Sequence, residues 1–146
     1  MTPPSSTPGH QIASLDIAVI LRQFVPNRRM VIEAVDMKTE SGIFIPDVIV
    51  TREVVKDRPV SAKLVDIVVE IISAHENVER TVKKDLYEGA GIPAYIIVDG
   101  PDGKRFAEVY HLQDDRYELT KRIAASGMGS FTVPFTFAID MMKINE

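Results

Sequence analysis

The sequence contains no cysteine, so disulfide bonds and thiolate metal sites are excluded. Its three histidines, His10, His75 and His111, are far apart and lack the spacing of a zinc site. No apolar run reaches the ~18 residues that a membrane span needs. The first ten residues, MTPPSSTPGH, lack the basic and apolar segments of a signal peptide. We therefore expect a cytoplasmic protein with no membrane partner.

The sequence also lacks a surplus of positive charge. Its 17 Lys and Arg residues are outnumbered by 21 Asp and Glu residues, for a net charge of -4. This balance argues against a protein that coats nucleic acid without specificity, because such binding depends on Lys and Arg contacts with phosphates. An enzyme with a small basic patch is still allowed, and an acidic metal site would itself add negative charge.

The pattern of apolar residues predicts one domain of the α/β or α+β class, with a mixed sheet flanked by two main helices. We expect residues 1–8 to form a mobile tail and residues 9–146 to form the domain. In the first helix, Ile12, Leu15 and Val19 share one apolar stripe, which is widened by Ile17, Ile20, Leu21 and Phe24. The buried strand LVDIVVEIIS, the following helix and the strand AYIIVD are typical of a parallel βαβ crossover.

Three charged residues stand out by their positions. Glu70 lies near the end of the strand LVDIVVEIIS, where an unpaired carboxylate would be costly to bury. Asp47 follows Pro46 at the start of another strand, and Lys83 lies on the second helix. Two carboxylates on neighbouring strands can hold one Mg²⁺ ion, with water and a phosphate completing its shell. A nearby ammonium group can stabilise the transition state, so this set suits phosphodiester hydrolysis.

The helical position of Lys83 can be estimated from its neighbours. Val78, Val82 and Leu86 recur every four residues and predict a buried stripe centred near Val82. At ~100° per residue, Lys83 would lie on the flank of that stripe and reach back over the sheet. Lys84 would point nearly opposite, toward solvent.

Each of these residues also has a simpler structural interpretation. Glu70 could form an ion pair within the fold, and Asp47 could be an ordinary turn or strand-edge residue. Lys83 lies four residues after Glu79, a spacing that allows an ion pair along the helix. Tyr87 and Tyr95 are most simply core aromatic residues with a polar tip. His10 could pack against the site or lie on the surface.

The segments IPDVIV, DIVVEIIS and ERTVKKDLYEGAGIPAYIIVD together resemble the Uma-type restriction endonuclease family. This family is a bacterial branch of the PD-(D/E)xK nuclease superfamily. The matching positions include Pro46-Asp47-Val48, Val69-Glu70, Lys83 with Tyr87, and Gly91-Ile92-Pro93. The pair His10-Gln11 ahead of a helix is also similar to the family pattern.

The resemblance implies a restriction-endonuclease-like fold with Asp47 and Glu70 as metal ligands and with Lys83 as the third catalytic residue. The lysine usual two residues after the glutamate is absent, and Ile72 stands there. His10 and Glu79 are possible accessory residues. The implied function is that of a Mg²⁺-dependent endonuclease that acts on DNA as a homodimer, with Mn²⁺ able to replace Mg²⁺.

Two other functions stay open at this point. Relatives usually carry a further glutamate ahead of the histidine–glutamine pair, and this sequence begins too late to contain it. That departure and the acidic charge favour a catalytically degenerate nuclease fold kept as a binding or assembly module. A metal-dependent hydrolase of another phosphate ester is the third possibility.

Overall fold

The computed structural model describes residues 7–72 and 77–146, and the side chains of residues 77–80 are not part of that description. Two α-helices are present in this part of the chain, α1 (Pro8–Arg22) and α2 (Asn77–Gly89). The strands are β1 (Val31–Glu33), β2 (Met37–Thr39), β3 (Gly42–Phe44), β4 (Val48–Thr51), β5 (Val60–Ser61), β6 (Val65–Ile71), β7 (Ala94–Asp99), β8 (Phe106–Gln113), β9 (Arg116–Ile123), β10 (Met128–Phe131) and β11 (Phe137–Asp140).

A six-stranded sheet in the order β1-β4-β6-β7-β8-β9 forms the centre of the fold. β6 and β7 are parallel, whereas the other neighbouring pairs are antiparallel. The sheet is therefore mixed, and its parallel pair is the βαβ crossover that the sequence predicted. All seven residues of β6 are buried, as expected for a strand covered on both faces.

Two apolar clusters lie on the two faces of this sheet. One contains α1 residues such as Ile17 and Leu21 together with Val69 of β6. The other contains Tyr87 of α2 together with Val68 of β6. Because successive strand residues point to opposite faces, α1 and α2 cover opposite sides of the sheet. The predicted fold class, a mixed sheet with two flanking helices, is confirmed.

The sequence predicts a hairpin of the segments RFAEVYHL and RYELTKRI around Gln113, Asp114 and Asp115, and β8 and β9 form it. Asp114 and Asp115 have φ values of 51° and 66°, so both central residues of the turn adopt the left-handed conformation. This conformation matches the right-handed twist of the flanking strands and gives a tight connection between β8 and β9.

Only part of the apolar stripe predicted on α1 is buried. Ile12, Leu15 and Val19 are 58%, 51% and 51% exposed, while Ile17 and Leu21 are fully buried. α1 has apolar residues on two faces, and the face that carries Ala13, Ile17, Ile20 and Leu21 packs on the sheet.

A second small sheet, in the order β3-β2-β5, was not predicted. Its strands come from segments that the sequence pattern indicated as a turn and a polar connection. The alternating segment MVIEAVDM, from Met30 to Met37, predicts a single strand, but the structure breaks it at Ala34, whose φ is 51°. β1 ends before the break, and β2 leaves the central sheet after it.

The remaining expectations concern the tail and the membrane. Residues 1–6 of the predicted tail lie outside the described residues, and α1 begins at Pro8, so the division at residue 8 stays a prediction. In the part of the chain that the structure describes, neither helix is long and apolar enough to cross a bilayer.

Candidate active site

Glu70 is the most deeply buried acidic residue of the site, with 3% of its surface exposed. It lies near the end of β6, between the buried apolar residues Val69 and Ile71. The backbone N–H of Asp47 donates to Glu70 Oε1 at 3.3 Å. The phenol of Tyr87 donates to Oε2 at 2.6 Å, and Lys83 Nζ lies 3.3 Å from the same oxygen. The buried carboxylate is therefore stabilised by three donors.

Asp47 lies directly beside Glu70 because β4 and β6 are antiparallel and Val48 pairs with Val69. Pro46 and Asp47 belong to the link between β3 and β4, and Asp47 lies directly before Val48, the first residue of β4. Its Oδ2 accepts a hydrogen bond from the backbone N–H of Ile71 at 2.7 Å. Each carboxylate thus accepts a hydrogen bond from the backbone next to the other, and the pair is fixed by the strand register.

Lys83 and Tyr87 are one helical turn apart on α2, so both side chains project from the same face. This face, which also carries Leu86 and Ala90, packs against the sheet. The prediction that Lys83 reaches back over the sheet is confirmed by its contact with Glu70.

The predicted centre of the buried face of α2 was wrong. Val82 is 60% exposed, because the helix is rotated so that Tyr87 faces the core. The same rotation brings Lys84 out of solvent and places its Nζ 4.6 Å from the centre of the Tyr110 ring. Lys83 therefore lies within the packed face and not on its flank.

His10 reaches the site from the opposite side of the sheet. It lies in the first turn of α1, which Thr7 caps by accepting a hydrogen bond from the His10 backbone N–H at 3.1 Å. Its Nε2 is 3.4 Å from Asp47 Oδ2. The hydrogen bond to Asp47 raises the pKa of His10 against the opposing effect of burial. The structure thus brings His10, Asp47, Glu70 and Lys83 together.

Burial raises the pKa of Glu70 to about 7, and the negative charge of Asp47 adds to this effect. The positive charge of Lys83 and the hydrogen bond from Tyr87 oppose it. The pKa of Tyr87 is raised far above its usual value, first by burial and then by the adjacent Glu70 charge. Tyr87 is therefore a neutral donor at any physiological pH.

The donor atoms of the site suit a hard cation such as Mg²⁺, which prefers oxygen ligands. Within residues 7–72 and 77–146, no group of three or more His, Cys, Asp or Glu side chains is arranged to hold a metal ion. Magnesium commonly binds through one or two carboxylates and keeps several waters, so the pair Asp47 and Glu70 fits its needs.

Two of the sequence-based interpretations fall on residues whose side chains are not described. Glu79 belongs to α2, but its side chain lies outside the described residues, so its accessory role and its ion pair with Lys83 stay predictions. Ser73, expected to cap or turn the chain, also lies outside them.

Sequence reasoning missed the role of Tyr87, which it treated as a core aromatic residue. The tyrosine is indeed fully buried, but its hydroxyl group contacts Glu70. The signal was its position four residues after Lys83, since this spacing places both side chains on one face of a helix.

Comparisons with known proteins give a matching restriction endonuclease family and a solved structure with a similar fold. Residues 1–136 match the family described as "Uma2: Putative restriction endonuclease". The fold is similar to the crystal structure of a "putative nuclease belonging to DUF820" from Anabaena variabilis, with a TM-score of 0.73 and 15% sequence identity. That similarity covers 99% of this chain and 84% of the other. No curated protein matches the sequence.

Proposed function

Because the chain belongs to the Uma2 restriction endonuclease family, we propose that it is a Mg²⁺-dependent endonuclease that hydrolyses phosphodiester bonds in DNA. One observation carries the proposal. The carboxylates of Asp47 and Glu70 are held side by side through backbone hydrogen bonds, and the ammonium of Lys83 contacts one of them. Two carboxylates and one cation at the end of two strands are the groups that this reaction needs.

In this proposal, Asp47 and Glu70 hold the metal ion, and Mn²⁺ can replace Mg²⁺. The bound ion would supply positive charge to the phosphate and make a water molecule more acidic. The contribution of the protein is to fix the two carboxylates at short range before the ion arrives. The strand pairing between Val48 and Val69 performs this task, because it sets the separation of the two side chains.

Lys83 is the proposed third catalytic residue. Its side chain is 28% exposed, so its ammonium can contact both the buried Glu70 and a phosphate at the surface of the site. Attack of water on phosphorus breaks a P–O bond and adds negative charge to the phosphoryl oxygens. A fixed ammonium close to these oxygens stabilises that charge in the transition state.

His10 and Glu79 are proposed as accessory residues. The support for His10 is its contact with Asp47 Oδ2 at 3.4 Å, through which it can hold this carboxylate in place. The support for Glu79 is its match to the family pattern and its spacing from Lys83. Neither residue is needed for the metal site itself.

A cleavage assay on supercoiled plasmid DNA tests the proposed function. We expect nicking with Mg²⁺ or Mn²⁺, none with EDTA, and none with Glu70→Gln in the presence of metal. Glu118→Gln is the matched control, because Glu118 is an exposed residue of β9 far from the site in the sheet order. Persistent nicking by pure Glu70→Gln protein would contradict the assignment of Glu70.

The alternative function, a degenerate nuclease fold that serves as a binding or assembly module, has one observation in its favour. Glu70 already has donors from Asp47, Lys83 and Tyr87, as a purely structural carboxylate would. Thermal denaturation with and without Mn²⁺ separates the two functions. A ligand that binds the folded state raises its stability, so a melting temperature unchanged by Mn²⁺ would favour the module.

We also propose that the protein acts as a homodimer. The support is the resemblance to nucleases together with the outer strands of the central sheet, which in the described part of the chain are β1 and β9. Sedimentation equilibrium over a range of protein concentrations tests this point, and a monomer mass at all concentrations would contradict it. In a bacterium the DNA lies in the cytoplasm, which is the compartment we propose.

A further inference from the structure

We propose that Tyr87 is a positioning residue that holds Oε2 of Glu70 and thereby assigns Oε1 as the atom that binds the metal. This inference rests on the proposed function, since it takes Glu70 to be a metal ligand. Beyond that function, it identifies Oε1 of Glu70 as the metal-binding oxygen and Tyr87 as the residue that selects it.

The two carboxylate oxygens of Glu70 differ in the contacts that they make. An ionised carboxylate offers about four lone-pair sites, roughly two on each oxygen. Oε2 accepts a short hydrogen bond from the Tyr87 hydroxyl group at 2.6 Å and forms an ion pair with Lys83 at 3.3 Å. Among the described residues, Oε1 has a single donor, the Asp47 backbone N–H, at the longer distance of 3.3 Å. Oε1 is therefore the less engaged oxygen, and it lies on the side of Asp47.

The Tyr87 side chain is held rigidly. Its ring is fully buried and packs edge-on against Tyr95, with ring centres 5.2 Å apart and an angle of 77° between the planes. Tyr95 in turn contacts Tyr110 and Tyr117, so the four tyrosines form one cluster. A hydroxyl group fixed in this way cannot follow a carboxylate that rotates, and it therefore sets the orientation of Glu70.

The helix that carries Tyr87 is fixed at the next residue as well. The side chain of Glu88 accepts a hydrogen bond from the backbone N–H of Tyr117 at 2.6 Å. Lys83, one turn earlier, is partly exposed and has a long flexible side chain. The two donors to Oε2 thus differ in freedom. Lys83 can turn toward a phosphate, whereas Tyr87 keeps its bond to Glu70 throughout.

The test compares Tyr87→Phe with Tyr117→Phe. Each change removes one buried hydroxyl group and keeps the aromatic ring. The hydroxyl group of Tyr87 donates to Glu70, whereas that of Tyr117 donates to the carbonyl oxygen of Ile92 at 2.7 Å. Mn²⁺ affinity is measured by calorimetry on the metal-free proteins, well below their melting temperatures, and folding is checked by circular dichroism. Loss of a group that orients a metal ligand typically lowers affinity ~10- to 100-fold.

We expect that loss in Tyr87→Phe and an unchanged affinity in Tyr117→Phe. In plasmid cleavage, excess Mg²⁺ should restore the rate of Tyr87→Phe, because the defect lies in binding the ion. Equal affinities in the two variants would overturn the role of Tyr87. If Tyr87→Phe does not fold, Tyr87→Met is measured in its place, which also removes the donor and must show the same loss.

Wild type and Glu70→Gln are measured in the same series. Binding in wild type that disappears in Glu70→Gln establishes Glu70 as a ligand, and the result for Tyr87→Phe then decides the positioning role alone. An absence of Mn²⁺ binding in wild type would overturn both the metal site and the positioning role.

Discussion

Asp47 and Glu70 lie opposite each other on antiparallel strands, and the backbone N–H of Asp47 donates to Glu70 Oε1 at 3.3 Å. Two negative charges this close repel each other, and the repulsion raises the pKa of Glu70. Burial of Glu70 has the larger effect in the same direction. A cation between the two carboxylates would relieve the repulsion. The repulsion between Asp47 and Glu70 thus destabilises the site, and binding of a cation would remove this cost.

The raised pKa of Glu70 predicts that stability depends on pH. The pKa is about 7 in the folded protein against an ordinary value of 4.5, so the folded state binds the proton more tightly. The contribution of Glu70 to the free energy of unfolding is therefore largest below pH 4.5 and is lost as the pH rises through 7. The loss is on the order of 3 kcal/mol, since one pKa unit corresponds to ~1.4 kcal/mol.

Urea denaturation of metal-free protein at a series of pH values measures this effect. Glu70→Gln should lack that part of the dependence. A difference between wild type and Glu70→Gln that does not change between pH 5 and pH 8 would contradict the raised pKa.

Adjacent lysines on α2 provide a matched pair for the role of Lys83. Lys83→Met removes the ammonium beside Glu70, and we expect plasmid cleavage to fall by ~10²- to 10³-fold, as for loss of other transition-state donors. Lys84→Met removes only the contact with the Tyr110 ring and should leave cleavage within a few-fold of wild type. Single-turnover rates at saturating Mg²⁺ give the comparison. Equal rates in the two variants would show that Lys83 is not catalytic.

Asp66 is a second buried acid on β6, and we predict a structural role for it. Its side chain forms ion pairs with Arg29 and with Arg52. Asp66→Ala leaves Arg29 partly buried without its partner, and loss of one member of a buried pair costs ~3–5 kcal/mol. Thermal denaturation should show this loss.

The same Asp66→Ala protein should keep its Mn²⁺ affinity at a temperature where it is folded. Asp66 and Glu70 lie on one strand and are both nearly inaccessible to solvent. The contrast between them would show that burial alone does not make a carboxylate a metal ligand. A parallel loss of Mn²⁺ affinity would place Asp66 in the metal site instead.

The strands of the central sheet could be predicted from the sequence because their apolar pattern is typical of buried strands. β6 is apolar almost throughout, and this indicates burial on both faces whatever its neighbours are. The resemblance to a known family then selected Asp47, Glu70 and Lys83 from the many charged residues of the chain. The structure places these three side chains together.

Helix orientation could not be predicted in the same way. α1 carries apolar residues on two faces, and hydrophobicity alone does not choose between Ile12 and Ile17. In α2, the regular valines suggested the wrong face, because the helix turns Tyr87 and Lys83 inward, where the Tyr87 ring packs against Tyr95 and both residues contact Glu70. Contacts with a single buried carboxylate leave no periodic signal in a sequence.

Glu70 joins α2 to the central sheet, and this has a consequence for the history of the family. Under the proposed function, a descendant that lost DNA cleavage would still need Glu70 and Tyr87, because their contact joins α2 to the central sheet. Selection for folding would preserve both residues long after selection for cleavage had ended. Lys83 is the most exposed of the three and contributes least to the core. Substitution at position 83, with Glu70 and Tyr87 retained, would therefore be the earliest mark of a lineage that has abandoned catalysis.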